Sequence, residues 1–198
     1  MNINNLKTMA FAPLLLAVAL QSACTTTPQT ASSEPLQSIP TLDVARYMGT
    51  WHEIAKYPNR FQQQCVRNTH AEYSQVGAGR LQVINRCQTS DGSVSEAVGT
   101  ARQVGPADSS QLKVRFAPAW LSFLPMVWGD YWVIDLDPAY QLVAVSEPRR
   151  AYLWVLSRSP AVDEAAYRQL LARLEARGFD LQRLERSLQD GGEQRLPE

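Results

Sequence analysis

The most reactive side chains of this chain are three cysteines and two histidines, namely Cys24, Cys65, Cys87, His52 and His70. Histidine can serve as a general base or as a metal ligand, but these two fall in different predicted strands and lack the spacing of a metal site. The sequence also has no Gly-x-Ser-x-Gly motif for a serine nucleophile. We therefore predict no catalytic residue, no metal and no cofactor, which leaves the cysteines as the sites of covalent chemistry.

Cys24 follows a segment with the features of an export signal. Residues 11–20 form an apolar run, with Lys7 before it and small residues directly before the cysteine. The run is too short to span a bilayer but has the length of a signal peptide's apolar core. We therefore predict a signal peptide over residues 1–23 and an exported mature protein.

The position of Cys24 resembles the lipidation site of bacterial lipoproteins. The cysteine begins a polar stretch, residues 24–40, which has too few apolar side chains to fold and is predicted to be a flexible tether. Gln21 departs from the lipoprotein pattern, which usually has leucine there. The resemblance implies a lipidated Cys24 and, because Thr25 stands in place of aspartate, an outer-membrane location facing the periplasm. The alternative is an ordinary cleavage site beside a stray thiol.

Cys65 and Cys87 remain in the mature domain. Export leaves few other uses for two thiols, and neither a Cys-x-x-Cys motif nor a histidine cluster accompanies them. We therefore predict a disulfide between Cys65 and Cys87.

The charge of the mature chain is close to zero. Removing residues 1–23 removes Lys7 and no acid, which leaves 18 Lys+Arg against 19 Asp+Glu. This balance gives no indication of a nucleic-acid partner. The remaining length suits one domain with a substantial core, predicted over residues 41–198.

The elements that position these residues are predicted from hydrophobic periodicity. Short alternating runs recur between turn signals such as Asp91-Gly92. The predicted strands cover residues 49–57, 68–76, 80–87, 93–104, 110–116, 129–136, 140–146 and 151–158. Eight strands joined by hairpin-length turns predict an all-β, antiparallel up-and-down barrel.

After Pro160 the periodicity becomes helical. Apolar residues fall at i, i+3, i+4 and i+7, namely Tyr167, Leu170, Leu171 and Leu174. Asp163 is placed to cap the start of the helix and Gly178 its end. The sequence therefore predicts one C-terminal amphipathic α-helix packed outside the barrel.

Three residues are predicted to form the floor of the barrel. Gly49 and Trp51 open the first strand, and Arg158 ends the last. The first and last strands of a closed barrel are neighbours, so the guanidinium can lie over the indole as a cation–π contact.

The strand period of two then assigns the residues that face inward. The predicted ligand-binding side chains are Val83, Leu112, Val114, Phe116, Tyr131, Tyr152, Trp154 and Leu156. They would line an apolar cavity that contains a few polar groups, as small-ligand pockets usually do. The alternative is a barrel filled solid by these same side chains.

Residues 118–128 form an apolar connection where a polar one is expected, at the open end of the barrel. Pro118 and Pro125 prevent a regular strand, and exposed apolar surface of this size usually marks an interaction site. The segment could contact a membrane, cover the ligand or form a homodimer. The alternative is that it folds back over its own barrel.

These motifs together resemble the lipocalin family. Gly49-Thr50-Trp51-His52-Glu53-Ile54-Ala55 is similar to the first lipocalin signature, Gly129-Asp130-Tyr131-Trp132-Val133-Ile134-Asp135-Leu136-Asp137 to the second, and Arg158 supplies the third. Residues 152–160 and Gly178-Phe179-Asp180 are similar to the bacterial lipocalins, which are outer-membrane lipoproteins. The resemblance covers residues 41–185.

The resemblance implies a ligand and a role. The ligand would be a fatty acid or a lysophospholipid, stored or transported for envelope maintenance under stress. A lipocalin-like enzyme acting on a lipid is one alternative. An envelope interaction protein using the 118–128 segment is another.

Overall fold

The computed structural model of the protein describes residues 34–191. The predicted signal peptide, Cys24 and the first part of the predicted tether lie outside the described residues. The strands are β1 (Gly49–Lys56), β2 (Arg67–Gly77), β3 (Arg80–Gln88), β4 (Val94–Gln103), β5 (Gln111–Arg115), β6 (Gly129–Leu136), β7 (Leu142–Ser146), β8 (Leu153–Ser157) and β9 (Glu185–Arg186). The helices of the described chain are α1 (Val44–Tyr47) and α2 (Glu164–Ala176), with 3₁₀ turns at Ala119–Leu121, Pro125–Val127 and Leu181–Arg183.

Strands β1 to β8 close into an antiparallel barrel. Each strand pairs with the next one along the chain, and β1 pairs with both β2 and β8. The fold predicted from the sequence is confirmed: an eight-stranded up-and-down barrel with one C-terminal amphipathic helix.

The barrel has a seam where β1 leaves β2. Pairing between them ends at His52 opposite His70, and farther along β1 the short strand β9 lies beside Ala55 and Lys56. Between these two regions the Gln189 side-chain amide donates hydrogen bonds to backbone carbonyl oxygens of both β1 and β2, at 2.9 and 2.8 Å. Residues near the C-terminus therefore complete the wall.

A β-bulge in β1 directs neighbouring residues to opposite sides of the wall. The register with β8 shifts between Glu53 and Ala55. Glu53 lies opposite the inward Leu156, whereas Ile54 and Ala55 both pack in the core outside the barrel. The bulge therefore increases the apolar surface that β1 presents to the helix.

Helix α2 covers one side of the barrel. Tyr167, Leu170 and Leu174 are buried against the outer faces of β1, β7 and β8. Strands β7 and β8 are consequently buried on both faces, because one faces the interior and the other faces the helix. As predicted, the side chain of Asp163 caps the helix, accepting from the Ala166 backbone N–H at 2.7 Å, and Gly178 follows its end with φ +82°.

Part of the predicted tether packs against the side of the barrel that α2 covers. Leu36 is buried in the core between helix and barrel. Arg150 donates to the Glu34 carbonyl oxygen at 2.9 Å, and Arg177 donates to that of Gln37. The packed region therefore begins before residue 41.

The predicted floor residues meet at one end of the barrel. The Arg158 guanidinium carbon lies 4.0 Å from the centre of the Trp51 ring, and the indole is fully buried. Gly49 has φ +93°, and a Cβ placed there would lie 3.3 Å from the Arg158 Nη1. Glycine therefore allows both the left-handed backbone and the close approach of the guanidinium.

Arg158 also joins separate segments of backbone. Its Nη1 donates to the Thr50 carbonyl oxygen at 2.9 Å, its Nη2 to that of Arg46 at 2.6 Å and its Nε to that of Tyr140 at 3.3 Å. These acceptors belong to β1, to α1 and to the turn between β6 and β7. One side chain thus holds together the elements that close this end.

Arg158→Ala is expected to lower the free energy of unfolding by on the order of 1–3 kcal/mol, because the cation–π contact and the hydrogen bonds to backbone are lost together. Urea titration followed by tryptophan fluorescence measures the change. Arg168→Ala, on the exposed side of α2, is the matched control and should unfold like the parent. Equal stability of all three proteins would contradict a structural role for Arg158.

Candidate ligand cavity

Six of the eight residues predicted to bind ligand lie in one cluster inside the barrel. Val83, Leu112 and Leu156 are buried there, and Val114, Tyr131 and Trp154 pack against them while remaining partly exposed. An inward side chain of a closed barrel keeps accessible surface only where its neighbours leave space. The interior is therefore solid near the floor and incompletely filled around Val114, Tyr131 and Trp154.

The other two predicted residues lie at the rim of the barrel. Phe116 follows the end of β5 and is 44% exposed, and its ring lies against Gly99, where an added Cβ would come within 2.7 Å of the ring. Tyr152 precedes β8 and stacks on Trp154, with ring centres 5.7 Å apart. The Phe61 ring, from the loop after β1, contacts Tyr152 at 5.6 Å. Aromatic surface therefore extends from the interior to the opening.

A polar network crosses the upper part of the cavity. The buried carboxylate of Glu53 accepts from Gln62 Nε2 at 2.6 Å and from Ser187 Oγ at 2.5 Å, and it lies 3.4 Å from Lys56 Nζ. Gln62 Oε1 in turn accepts from the Trp154 indole N–H at 2.9 Å. Because that N–H is satisfied within the protein, Trp154 offers a ligand its ring carbons.

The loop that carries Gln62 is held at its far end by a disulfide. Cys65 and Cys87 are bonded, which confirms the predicted bridge, and their Cα atoms are 5.5 Å apart. The bridge joins the loop to the end of β3. The Gln62 hydrogen bonds and the disulfide together hold residues 57–66 over the opening.

Three tyrosine hydroxyl groups meet deeper in the barrel. The Tyr131 hydroxyl oxygen lies 2.7 Å from that of Tyr47 and 2.8 Å from that of Tyr73. Burial raises the pKa of Tyr73 to about 12 and raises the pKa values of Tyr47 and Tyr131 well above the ordinary value. All three are therefore neutral at physiological pH. Sequence reasoning found Tyr131 and missed its two partners, which come from α1 and β2.

The apolar segment 118–128 forms two 3₁₀ turns instead of a lid folded into the barrel. Trp120, Phe123 and Met126 are 72%, 74% and 85% exposed. Trp120 lies in the first 3₁₀ turn, Met126 in the second and Phe123 between the two. The Trp128 ring packs on Arg102, whose guanidinium carbon lies 4.3 Å from the ring centre. The segment thus anchors one indole on the barrel and exposes three large apolar side chains.

The two histidines, which sequence spacing did not connect, lie opposite each other on β1 and β2. Their ring centres are 5.9 Å apart, and burial, followed by the effect of His70, lowers the pKa of His52. Within residues 34–191, no three His, Cys, Asp or Glu side chains come together as a metal site would require. Over the same range, no helix has the length and apolar character needed to cross a membrane.

A family model of the lipocalin-like domain matches residues 42–189. The chain belongs to the lipocalin family. Temperature-induced lipocalin-1 of Arabidopsis thaliana is 39% identical over 150 residues, which cover 75% of this chain and 80% of that protein. The outer membrane lipoprotein Blc of Escherichia coli strain K12 is 37% identical over 140 residues, covering 70% and 75%.

Solved structures show the same fold at lower sequence identity. Insecticyanin of the tobacco hornworm Manduca sexta superposes on this lipocalin with a TM-score of 0.60 at 18% identity, covering 77% of this chain and 83% of that one. Apocrustacyanin C1 superposes with a TM-score of 0.58 at 15% identity, covering 74% and 79%. Family membership and the partly open barrel together support binding of a small hydrophobic ligand.

Proposed function

We propose that this lipocalin binds fatty acids or lysophospholipids inside its barrel. The observation that carries the proposal is the accessible surface kept by Val114, Tyr131 and Trp154, which face inward above a sealed floor. Apolar side chains and aromatic ring faces at this level suit an acyl chain, whose burial is favourable in proportion to the area removed from water.

The two ends of the barrel orient such a ligand. Arg158 and Trp51 close the floor, so the ligand enters from the end where the loop with Gln62 lies. The acyl chain occupies the apolar interior, and the charged head stays near the opening, where Lys56 and Gln62 supply hydrogen-bond donors.

We further propose that the protein stores or transports these lipids for envelope maintenance under stress, attached to the outer membrane through a lipidated Cys24 and facing the periplasm. Relatives named as outer membrane lipoproteins support this location. Co-purifying lipid is expected if binding is the function, whereas empty protein that turns over a lipid would favour an enzyme acting on a lipid.

Trp154→Ala is expected to weaken binding of a fluorescent fatty acid or lysophospholipid about tenfold, because one aromatic wall of the cavity is lost. Fluorescence titration of delipidated protein measures this affinity, and native mass spectrometry of untreated protein detects bound lipid. Trp51→Phe is the comparison: it should lower stability and keep affinity. Unchanged affinity in the Trp154 variant would place the ligand elsewhere, and equal losses of affinity at unchanged melting temperatures would contradict the separation of floor from cavity.

Cys24→Ala is expected to release the protein into the periplasm as a soluble species, because lasting attachment needs the acyl chains on that cysteine. Cell fractionation followed by immunoblotting measures the distribution. Full membrane association of the variant would show that an uncleaved signal or the apolar segment 118–128 holds the protein instead.

We also propose that segment 118–128 pairs with that of a second copy, because Trp120, Phe123 and Met126 expose three large apolar side chains within one short segment. Anchorless protein should then be dimeric by light scattering at micromolar concentration, and Phe123→Ser combined with Met126→Ser should make it monomeric. Val98→Ser, which changes an exposed apolar residue on β4, is the control. A monomeric parent that binds lipid vesicles through this segment would assign the surface to the membrane.

A further inference from the structure

The three buried tyrosine hydroxyls contain one more proton than their mutual hydrogen bonds use. Tyr47, Tyr73 and Tyr131 each carry one O–H donor, and the three oxygens are joined by two hydrogen bonds. Among the described residues, these hydroxyls make no other hydrogen bond. Within residues 34–191, one donor in the barrel interior is therefore left without a protein acceptor, and such a donor costs free energy unless something accepts from it.

Tyr131 is the member of the triad that keeps accessible surface inside the barrel. Tyr47 and Tyr73 are 1% and 4% exposed, so they have almost no contact with free space. The Tyr131 hydroxyl oxygen is also the one that lies within hydrogen-bond distance of both others. If it accepts from both neighbours, both of their protons are used and its own O–H is the remaining one.

The triad also lies toward the closed end of the barrel. The Tyr47 ring contacts Trp51, with ring centres 5.0 Å apart, and Trp51 is the indole under Arg158. Trp154 and the Glu53 network lie toward the opening. A lipid that enters chain first therefore brings the far end of its acyl chain to the tyrosines.

The neutrality of the triad restricts the chemistry of its partner. A carboxylate or phosphate moved to this depth would lose its hydration and gain only neutral donors. A hydroxyl or keto oxygen needs one donor and carries no charge, so it matches what the triad offers. The group expected here is therefore a neutral oxygen, distinct from the charged head at the opening.

We propose that Tyr131 donates a hydrogen bond to a neutral oxygen near the buried end of the ligand, so that the cavity prefers acyl chains bearing a hydroxyl or keto group close to the terminal carbon. This inference rests on the proposed lipid-binding function and adds a substrate class to it.

Competition against one fluorescent fatty acid tests the preference. The probes are stearic acid and hydroxystearic acids with the hydroxyl beside the carboxyl group, at mid-chain or on the penultimate carbon. The penultimate isomer should bind about fivefold more tightly than stearic acid, the gain expected of one ordinary net hydrogen bond, and the isomer hydroxylated beside the carboxyl group should show no gain. Equal affinities across the series would overturn the inference while leaving the proposed function intact, whereas failure of stearic acid itself to bind would overturn the proposed function.

Two variants separate the role of Tyr131 from that of its partners. Tyr131→Phe should abolish the preference for the penultimate isomer, because the remaining hydroxyls barely reach the cavity. Tyr73→Phe removes one proton and one hydrogen bond, so a donor is still left over and the preference should persist. Tyr167→Phe, which changes a phenol packed outside the barrel, is the control.

The variant results are interpreted at matched thermal stability, measured by circular dichroism. A Tyr131→Phe protein that folds and keeps the full preference would overturn the assignment to Tyr131. If Tyr131→Phe does not fold, Tyr73→Phe decides, because loss of the preference there contradicts the count of donors and its persistence supports it.

Discussion

The closed end of this barrel depends on one side chain that serves two purposes at once. The Arg158 guanidinium covers the face of a buried indole and donates hydrogen bonds to carbonyl groups of α1, of β1 and of the β6–β7 turn. A cation over an aromatic face gains most where water is excluded, and the backbone carbonyls satisfy the donors that burial would otherwise leave unpaired. With this end sealed, the barrel can remain unfilled toward its other end, where a ligand can enter.

The core inside the barrel and the core between barrel and helix share strands β7 and β8. Because of this arrangement, the residues that stabilise the fold differ from those available to bind a ligand. Strands β7 and β8 present apolar side chains both to the interior and to helix α2. The outer core and the floor are closely packed, so the fold does not need a filled cavity to bury a large apolar area. The inner residues near the opening are consequently available for contacts with a ligand, and polar groups such as the tyrosine hydroxyls can be retained among them.

Much of the architecture follows from local patterns in the sequence. Alternation over 112–116 and the helical spacing of Tyr167, Leu170 and Leu174 are properties of single elements, so the strands and the helix could be predicted. The inward role of Glu53 could not, because the bulge after it depends on the register with β8. The hydrogen bonds of Gln62 and the contact of Tyr47 with Tyr73 join segments that are far apart in the sequence. Such contacts leave no periodic pattern in the sequence from which they could be predicted.

The seam in the barrel has a consequence for how the protein is made. The edge of β1, the first strand to leave the ribosome, is completed by β8 on one side and by β9 and Gln189 on the other. These partners are the last parts of the domain to be synthesised. The early strands can form hairpins with one another, but β1 has no permanent neighbour on its β8 side until nearly the whole domain has been synthesised. Until then its unpaired backbone groups and Ile54 are exposed to other chains, so the interval between synthesis of the two ends of the domain is the period of greatest risk of aggregation.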